Sequence, residues 1–586
     1  MGYIRKWTLI GIIIGVISGF GAVIFYEMLR FSTKYFLEKG AGFIPPGEGA
    51  PLPEALNWVP PENPYRLLLV ITLGGILSGL IVYTFAPEAE GHGTDAAIRA
   101  FHRENGKIRA RIPIVKAIAS AITIGSGGSA GREGPTAQIS AGLGSLIADA
   151  LKLGPEDRRL MVAIGIGTGI GSIFKAPLGG ALLAGEILYK RDIETEAIIP
   201  ALIASPIGYL IFCSFEGYDP MFIMPHVYFR PIHLLFFLLL GVVEGVVGLA
   251  YIYSFYRTRD IFSEFFERTG LPQHVKPAFG AFLSGLLVLA LIKWVNPLAG
   301  LGAVGTGYGF LQLAIYNAIP WKILLLIGIF KIVTTSLTIG SGGSGGVFAP
   351  GLVIGGMIGG ATGILLHSAF PSVIPLSLVP AFVAIGMVSL FGGISKAPIA
   401  NMVMVSEMTN NYHFLVPAMA AVFVSYLLTG DNTIYEEQVG SKTESPAHAH
   451  EILSLIMRSI KVREIMRSAE DVLTISPMDS LMEALQLSIK THYRCLPVTE
   501  NGRLVGLIHT EIAHDIPVEE WDRIPIRDVM IKDPPVAHPN DSLSTALLKI
   551  TRSGICCIPV VEGEDMTLVG IITKDDIIRR LSSEVS

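Results

Sequence analysis

Residues 125–135 read GSGGSAGREGP and residues 340–350 read GSGGSGGVFAP, and the two align without a gap. Gly125 falls on Gly340, Ser129 on Ser344, Gly131 on Gly346 and Pro135 on Pro350. Glycine lets main-chain N–H groups approach a ligand closely. A helix that starts at such a segment aims its unpaired amides and the positive end of its dipole at whatever lies in front of it. Each copy therefore reads as an anion cradle made of backbone. The first copy also carries Glu133, between Arg132 and Gly134. A carboxylate inside an apolar stretch is costly at membrane depth unless it is functional or paired. One reading is a gate: a side-chain anion that fills a site suited to a free anion and leaves it on protonation. The other is a helix N-terminal acid, or a partner for Arg132.

The elements that hold these cradles belong to a membrane. Half of the 586 residues are apolar (51%), 16% are charged and the mean hydropathy is +0.55; together these exclude an ordinary soluble chain. A net charge of −5 gives no case for nucleic-acid binding. Arg5 and Lys6 precede an apolar stretch from Trp7 to Phe25 that lacks a small-residue cleavage site, so it reads as an uncleaved first span. No Lys or Arg occurs from Gly40 to Tyr65, whereas Arg99, Arg103, Lys107, Arg109 and Arg111 cluster in the next polar stretch. The positive-inside rule then puts the N-terminus and the 99–112 loop in the cytoplasm. Several apolar runs, Ala141 to Ala150, Leu160 to Ile170 and Leu178 to Leu188, are shorter than the roughly 20 residues of a full span. Such broken helices line buried or wet cavities.

The repeat reaches beyond the cradle. Gly91-His92-Gly93-Thr94 matches Gly305-Thr306-Gly307-Tyr308, and Lys175-Ala176-Pro177 with Glu186 matches Lys396-Ala397-Pro398 with Glu407. Two repeats, about 65–220 and 275–430, meeting at a substrate site are the expectation for a transporter. After Tyr435 the chain turns polar. We bound a transmembrane part at 1–440, a linker at 441–460 and two small α/β modules at 461–516 and 524–583. The modules repeat each other: Leu496-Pro497-Val498 answers Ile558-Pro559-Val560, and Leu504-Val505-Gly506 answers Leu568-Val569-Gly570. They resemble a CBS-domain pair. The four cysteines, Cys213, Cys495, Cys556 and Cys557, show no metal spacing and read as free thiols.

Gly131-Arg132-Glu133-Gly134-Pro135 with Gly346-Val347-Phe348-Ala349-Pro350 resembles the CLC chloride channel and transporter family over about 7–440. The resemblance implies an all-α multi-pass membrane protein with two inverted repeats and re-entrant helices, carrying a cytoplasmic α/β CBS pair. It implies Glu133 as gate and proton acceptor, the Val347 and Phe348 amides and the Tyr435 hydroxyl as ligands of a central chloride, and a homodimer in the cell membrane. Two departures stand out. Where the family's first anion loop has Gly-Ser-Gly-Ile-Pro, this chain has Gly91-His92-Gly93-Thr94-Asp95. Either His92 donates to the anion and titrates near neutrality, or it turns away and Gly93 amides serve. Coupled exchangers often place an inner glutamate where Ile187 stands, which leaves Glu186 as the candidate for an inner proton path and leaves channel and antiporter both open. In the second module Gly570-Ile571-Ile572-Thr573-Lys574-Asp575-Asp576 fits a pattern of CBS pairs in which Thr573 and Asp576 would meet an adenine nucleotide; a purely structural or dimerising module is the other reading. No cofactor is otherwise required.

The expected function is passage of chloride or a similar monovalent anion, with or without protons, rather than an enzyme's reaction. A CBS-regulated divalent-cation transporter of the magnesium type is the competing class. It would need acids clustered along the spans, and these offer mainly Glu133, Glu186, Glu244 and Glu407.

Overall fold

The structure is a computed structural model that describes residues 2–585 and divides into two compact units, Met1–Ala447 and His448–Ser586. The first is helical. Among the described residues nine helical segments are long and apolar enough to cross a membrane, the first Tyr3–Ala41 and the last Tyr412–Thr429. Counting apolar runs underestimates two of the shorter helices. The stretch read as Ala141 to Ala150 is the end of the helix Glu133–Ala150, and that read as Leu160 to Ile170 lies within Pro155–Ile173. Thr136, Gln138 and Ser140 are buried in the first of these, so polar and small residues continue a helix that faces protein rather than lipid. Pro177–Glu186 stays short, as its sequence suggests.

The two copies of each motif adopt matching backbones. Gly127 and Gly342 have φ of 101° and 92°, Gly93 and Gly307 of 83° and 85°, and Lys175 and Lys396 of 55° and 57°. At Gly127 and Gly342 this left-handed turn stops one helix and redirects the chain into the next, a geometry that a Cβ would strain. Contacts between the copies are reciprocal. Ser120 Oγ meets Ser344 Oγ at 2.9 Å, and the matching residues Thr335 and Ser129 meet at 2.8 Å. Glu186 accepts the Ile399 and Ala400 N–H groups at 3.1 and 2.6 Å, while Glu407 accepts those of Leu178 and Gly179 at 3.1 and 2.8 Å. Gly131 and Gly346, which match each other, exchange two N–H···O bonds of 2.7 Å each. When i touches j and the image of i touches the image of j, the relation is two-fold, and the Gly131–Gly346 pair lies on its axis.

This unit runs seven residues past the expected boundary at 440. Lys442 donates its N–H to Asp192 Oδ2 at 2.9 Å and Ser445 Oγ meets His102 Nδ1 at 2.7 Å, so the first part of the expected linker is anchored in the helical unit. Its second part is the helix Ala449–Ser459.

The second unit is a five-stranded sheet with helices. The strands are β1 (Arg467–Ser468), β2 (Cys495–Glu500), β3 (Arg503–His509), β4 (Cys557–Glu562) and β5 (Thr567–Thr573), in the order β1-β5-β3-β2 with β4 also on β5 and every pairing antiparallel. Asn501 and Gly502, with φ of 51° and 79°, close the β2–β3 hairpin, as the right-handed twist of its strands favours. The burial of β3 repeats in β5 residue for residue. Each hairpin buries its apolar face under one helix. Leu496, Val498 and Ile508 pack on Leu481 and Ala484, and Ile558, Val560 and Ile572 pack on Leu543 and Ala546. Ser480 and Ser542 cap those two helices, Leu481–Thr491 and Leu543–Ser553.

Candidate anion site

Three loops from distant parts of the chain meet at the two-fold axis: 91–94, 131–134 and 345–349. The Gly345 N–H donates to the Gly91 carbonyl at 3.2 Å. A Cβ on Gly134 would strike the His92 carbonyl and come within 3.0 Å of Gly346 Cα. Three loops this close admit only glycine at their crossing. Two buried lysines fix the outer loops from behind. Lys116 Nζ donates to the Ala89 and Gly91 carbonyls at 3.0 and 2.7 Å, and its repeat partner Lys331 donates to Gly305 at 2.6 Å. A trans peptide points its N–H opposite its C=O, so turning Gly91 O and Gly305 O toward lysine turns the His92 and Thr306 N–H groups the other way. Sequence reading missed both lysines, although their 215-residue spacing is that of the cradles.

Glu133 opens the helix Glu133–Ala150 and is completely buried. Its Oε1 accepts the Tyr308 hydroxyl at 2.5 Å and its Oε2 accepts the Ala349 N–H at 3.3 Å. Ala349 is the second residue of the helix Phe348–Ala369, so the carboxylate occupies the position in front of that helix where its dipole and free amides favour an anion. Arg132 is not its main partner. The guanidinium Nη1 binds Glu48 Oε1 at 2.7 Å and lies over the Tyr26 and Tyr308 rings, while its Nε stands 3.9 Å from Glu133. Tyr308 and Ala349 were absent from the sequence-derived site. Tyr308 had a signal, since it closes the motif that repeats Gly91–Thr94.

Three other predicted residues, Phe348, Tyr435 and His92, are linked through Phe391 and one another. Phe348 packs against Phe391 with centroids 4.0 Å apart and the rings tilted by 40°, Phe391 lies 6.4 Å from the Tyr435 ring, and Tyr435 lies 5.5 Å from the His92 ring. Tyr435 is fully buried, and the Val347 carbonyl accepts the Tyr251 hydroxyl at 3.3 Å. Gly93 is the N-cap of the helix Thr94–Arg103. His92 is buried with Nε2 at 3.2 Å from Asp95 Oδ2, and its Nδ1 has no hydrogen-bond partner among the described residues. Asp95 is itself held by the Glu436 and Glu437 N–H groups, both at 3.2 Å. Glu186 is elsewhere: both of its oxygens cap the helix Pro398–Met408.

In the second unit, Thr573 lines a cavity of about 460 Å³ with Arg467, Arg494, Asp575 and Arg579. Asp576 does not line it. Its carboxylate accepts the Thr573 hydroxyl at 2.6 Å and N–H at 3.2 Å, and lies 3.4 Å from Arg467.

Known proteins match both units. The family model described as voltage gated chloride channel matches residues 74–430, and that described as CBS domain matches 462–511 and 526–583. The chain is 29% identical to the putative chloride channel protein ClcB-like of Ralstonia nicotianae, over 72% of this chain and 94% of the other. It is 33% identical to the H(+)/Cl(-) exchange transporter ClcA of Vibrio cholerae serotype O1, over 61% and 75%. The solved structure of a eukaryotic CLC transporter shares the fold with a TM-score of 0.56 at 19% identity, covering 98% of both chains. With a family match over more than half of its length and the paired glycine cradles joined at one axis, the chain belongs to the voltage-gated chloride channel (CLC) family of membrane transporters and carries a C-terminal pair of CBS domains.

Proposed function

We propose that the helical unit passes chloride or a similar monovalent anion across the membrane, with Glu133 as its gate. The observation that carries this reading is the seat of the Glu133 carboxylate on the Ala349 N–H and the Tyr308 hydroxyl. A carboxylate and a halide ask the same of those donors, so the side chain occupies a place a free anion would take and must leave it for the anion to pass. Behind it, Val347 and Phe348 amides, the Gly93 loop and the Tyr435 hydroxyl offer dipoles and little full charge. Such donors repay only part of a dehydration cost and favour weakly hydrated monovalent ions over sulfate or phosphate.

The name of the Vibrio relative supports proton exchange, and Ile187 in place of the usual inner glutamate weighs toward passive flow. The clustering of Arg and Lys at 99–111 supports a cytoplasmic N-terminus, and the family resemblance supports a homodimer with the CBS pair as a cytoplasmic regulator. Adenine nucleotide at that pair would use Thr573 and the cationic cavity wall. Asp576 would first have to release Thr573 to reach a ribose.

Glu133→Gln tests the gate. In liposomes, with anion flux and external pH recorded together, the variant is expected to keep or raise its flux and to lose the dependence on external pH. Proton movement in the wild type, read in the same vesicles, separates exchange from passive flow. Abolished flux in a folded variant would make Glu133 a structural acid, and flux of sodium or magnesium would overturn the assignment to anions.

A further inference from the structure

Three thiols and an imidazole converge where the two CBS modules meet. Cys495 opens β2 and is the cross-strand partner of His509 at the end of β3. Paired residues in an antiparallel ladder project from the same face, so thiol and ring share it. Cys557 holds the corresponding position in the second module, opposite Thr573, and packs with Cys495, Leu507 and Ile571. Cys556, one residue before β4, has its carbonyl fixed by the Lys574 N–H at 3.1 Å. Its Sγ lies 3.0 Å from Cys495 Sγ and 4.0 Å from His509 Nε2. One ligand atom from each of Cys495, His509 and Cys556 falls within 4.8 Å of the others. Cys495, Cys556 and Cys557 also line the cavity of about 460 Å³, which gives the cluster an open side.

We propose that Cys495, His509 and Cys556 form a zinc site that ties the first CBS module to the second, with its fourth position open to the cavity. Zinc takes thiolate and imidazole ligands in tetrahedral geometry at about 2.3 Å to sulfur and 2.0–2.1 Å to nitrogen. Those lengths put tetrahedral ligands roughly 3.5–3.8 Å apart. Closing on a metal therefore asks the two sulfurs, 3.0 Å apart, to part by under about 1 Å and the His509 ring, 4.0 Å from Cys556 Sγ, to approach that sulfur by about 0.5 Å. The second ring nitrogen, Nδ1, faces Glu511 Oε2 at 3.8 Å, and a shift of under about 1 Å would give it the carboxylate hydrogen bond that orients metal-bound histidines. A disulfide between Cys495 and Cys556 would use two of these groups and leave the His509 ring outside the bond. The set of soft and borderline donors selects zinc over magnesium or calcium, which prefer oxygen.

The full-length protein in detergent, reduced and stripped with chelator, would be titrated with zinc chloride against a chelating indicator. The metal kept after desalting would be measured. Wild type is expected to hold one zinc per chain. Cys556→Ser, an exposed position that costs no core packing, and His509→Ala should each weaken binding at least tenfold, whereas Cys213→Ser in the helical unit should leave it unchanged. Cobalt in place of zinc should give a thiolate charge-transfer band that Cys556→Ser removes. Any of three results overturns the site: no stoichiometric zinc in folded wild type, equal retention in both variants, or a Cys495–Cys556 disulfide that forms with zinc present.

Discussion

Replacing Tyr308 with Phe removes one hydroxyl and leaves the ring in its buried place against Phe222. In that arrangement the hydroxyl donates to Glu133 at 2.5 Å, while the Ala349 N–H lies 3.3 Å and Arg132 Nε 3.9 Å from the carboxylate. A hydrogen bond to a charged group contributes about 1.5–3 kcal/mol. Its loss weakens the seated carboxylate by on the order of ten- to a hundredfold, at about 1.4 kcal/mol per factor of ten. If Glu133 and the anion compete for one position, as proposed, the apparent affinity of the anion should rise by that factor. The gain is capped at the reciprocal of the fraction of chains whose site is already vacant. The half-saturating chloride concentration for flux in liposomes, or calorimetric titration in detergent, reads it directly. A half-saturation unchanged in a folded variant would show that the hydroxyl does not hold the gate shut. A weaker one would put the hydroxyl in the anion's own shell. Either result refutes the competition argument.

Other perturbations separate further roles. Glu186→Gln and Glu407→Gln each weaken two backbone hydrogen bonds to a helix N-terminus; each should lower thermal stability in detergent by a similar amount, about 1–3 kcal/mol. If Glu186 is a cap, its variant keeps the wild-type ratio of anions to protons; a changed ratio with unchanged stability would put it on a proton path. At His92, Nε2 faces Asp95, so a neutral ring turns a lone pair outward from Nδ1, and only the imidazolium donates there. Any contribution of the His92 side chain to flux or anion selectivity should therefore be lost in His92→Ser, while the Glu133 response remains. Unchanged flux and selectivity in His92→Ser would exclude the side chain from the path. Because Lys442 and Ser445 bond within the helical unit, truncation after Ala447 should preserve anion flux and remove its regulation; loss of flux despite normal assembly would refute a separable regulator.

The sequence by itself carried the membrane class, the doubled cradle, the CBS repeat and Glu133 as the candidate gate. These are local signals: hydropathy over a span, glycine where the backbone must turn, a carboxylate too costly to be incidental. What the tertiary structure decided is who meets whom. That Glu133 rests on Ala349 and Tyr308, more than 170 residues away in the chain, depends on the two-fold relation that brings the copies together through Gly131 and Gly346. Neither copy alone specifies that pairing. Arg132 was read beside its neighbour in sequence, yet its closer ion pair is with Glu48 because the folded chain puts that carboxylate 2.7 Å away. Cysteine spacing likewise suggested no metal, since hairpin register and the junction of two modules, not intervals along the chain, set the distances among Cys495, His509 and Cys556. Spacing along one helix or strand is fixed by its repeat, and the sequence shows it. Spacing between segments is set by packing over the whole core, and only the fold reveals it.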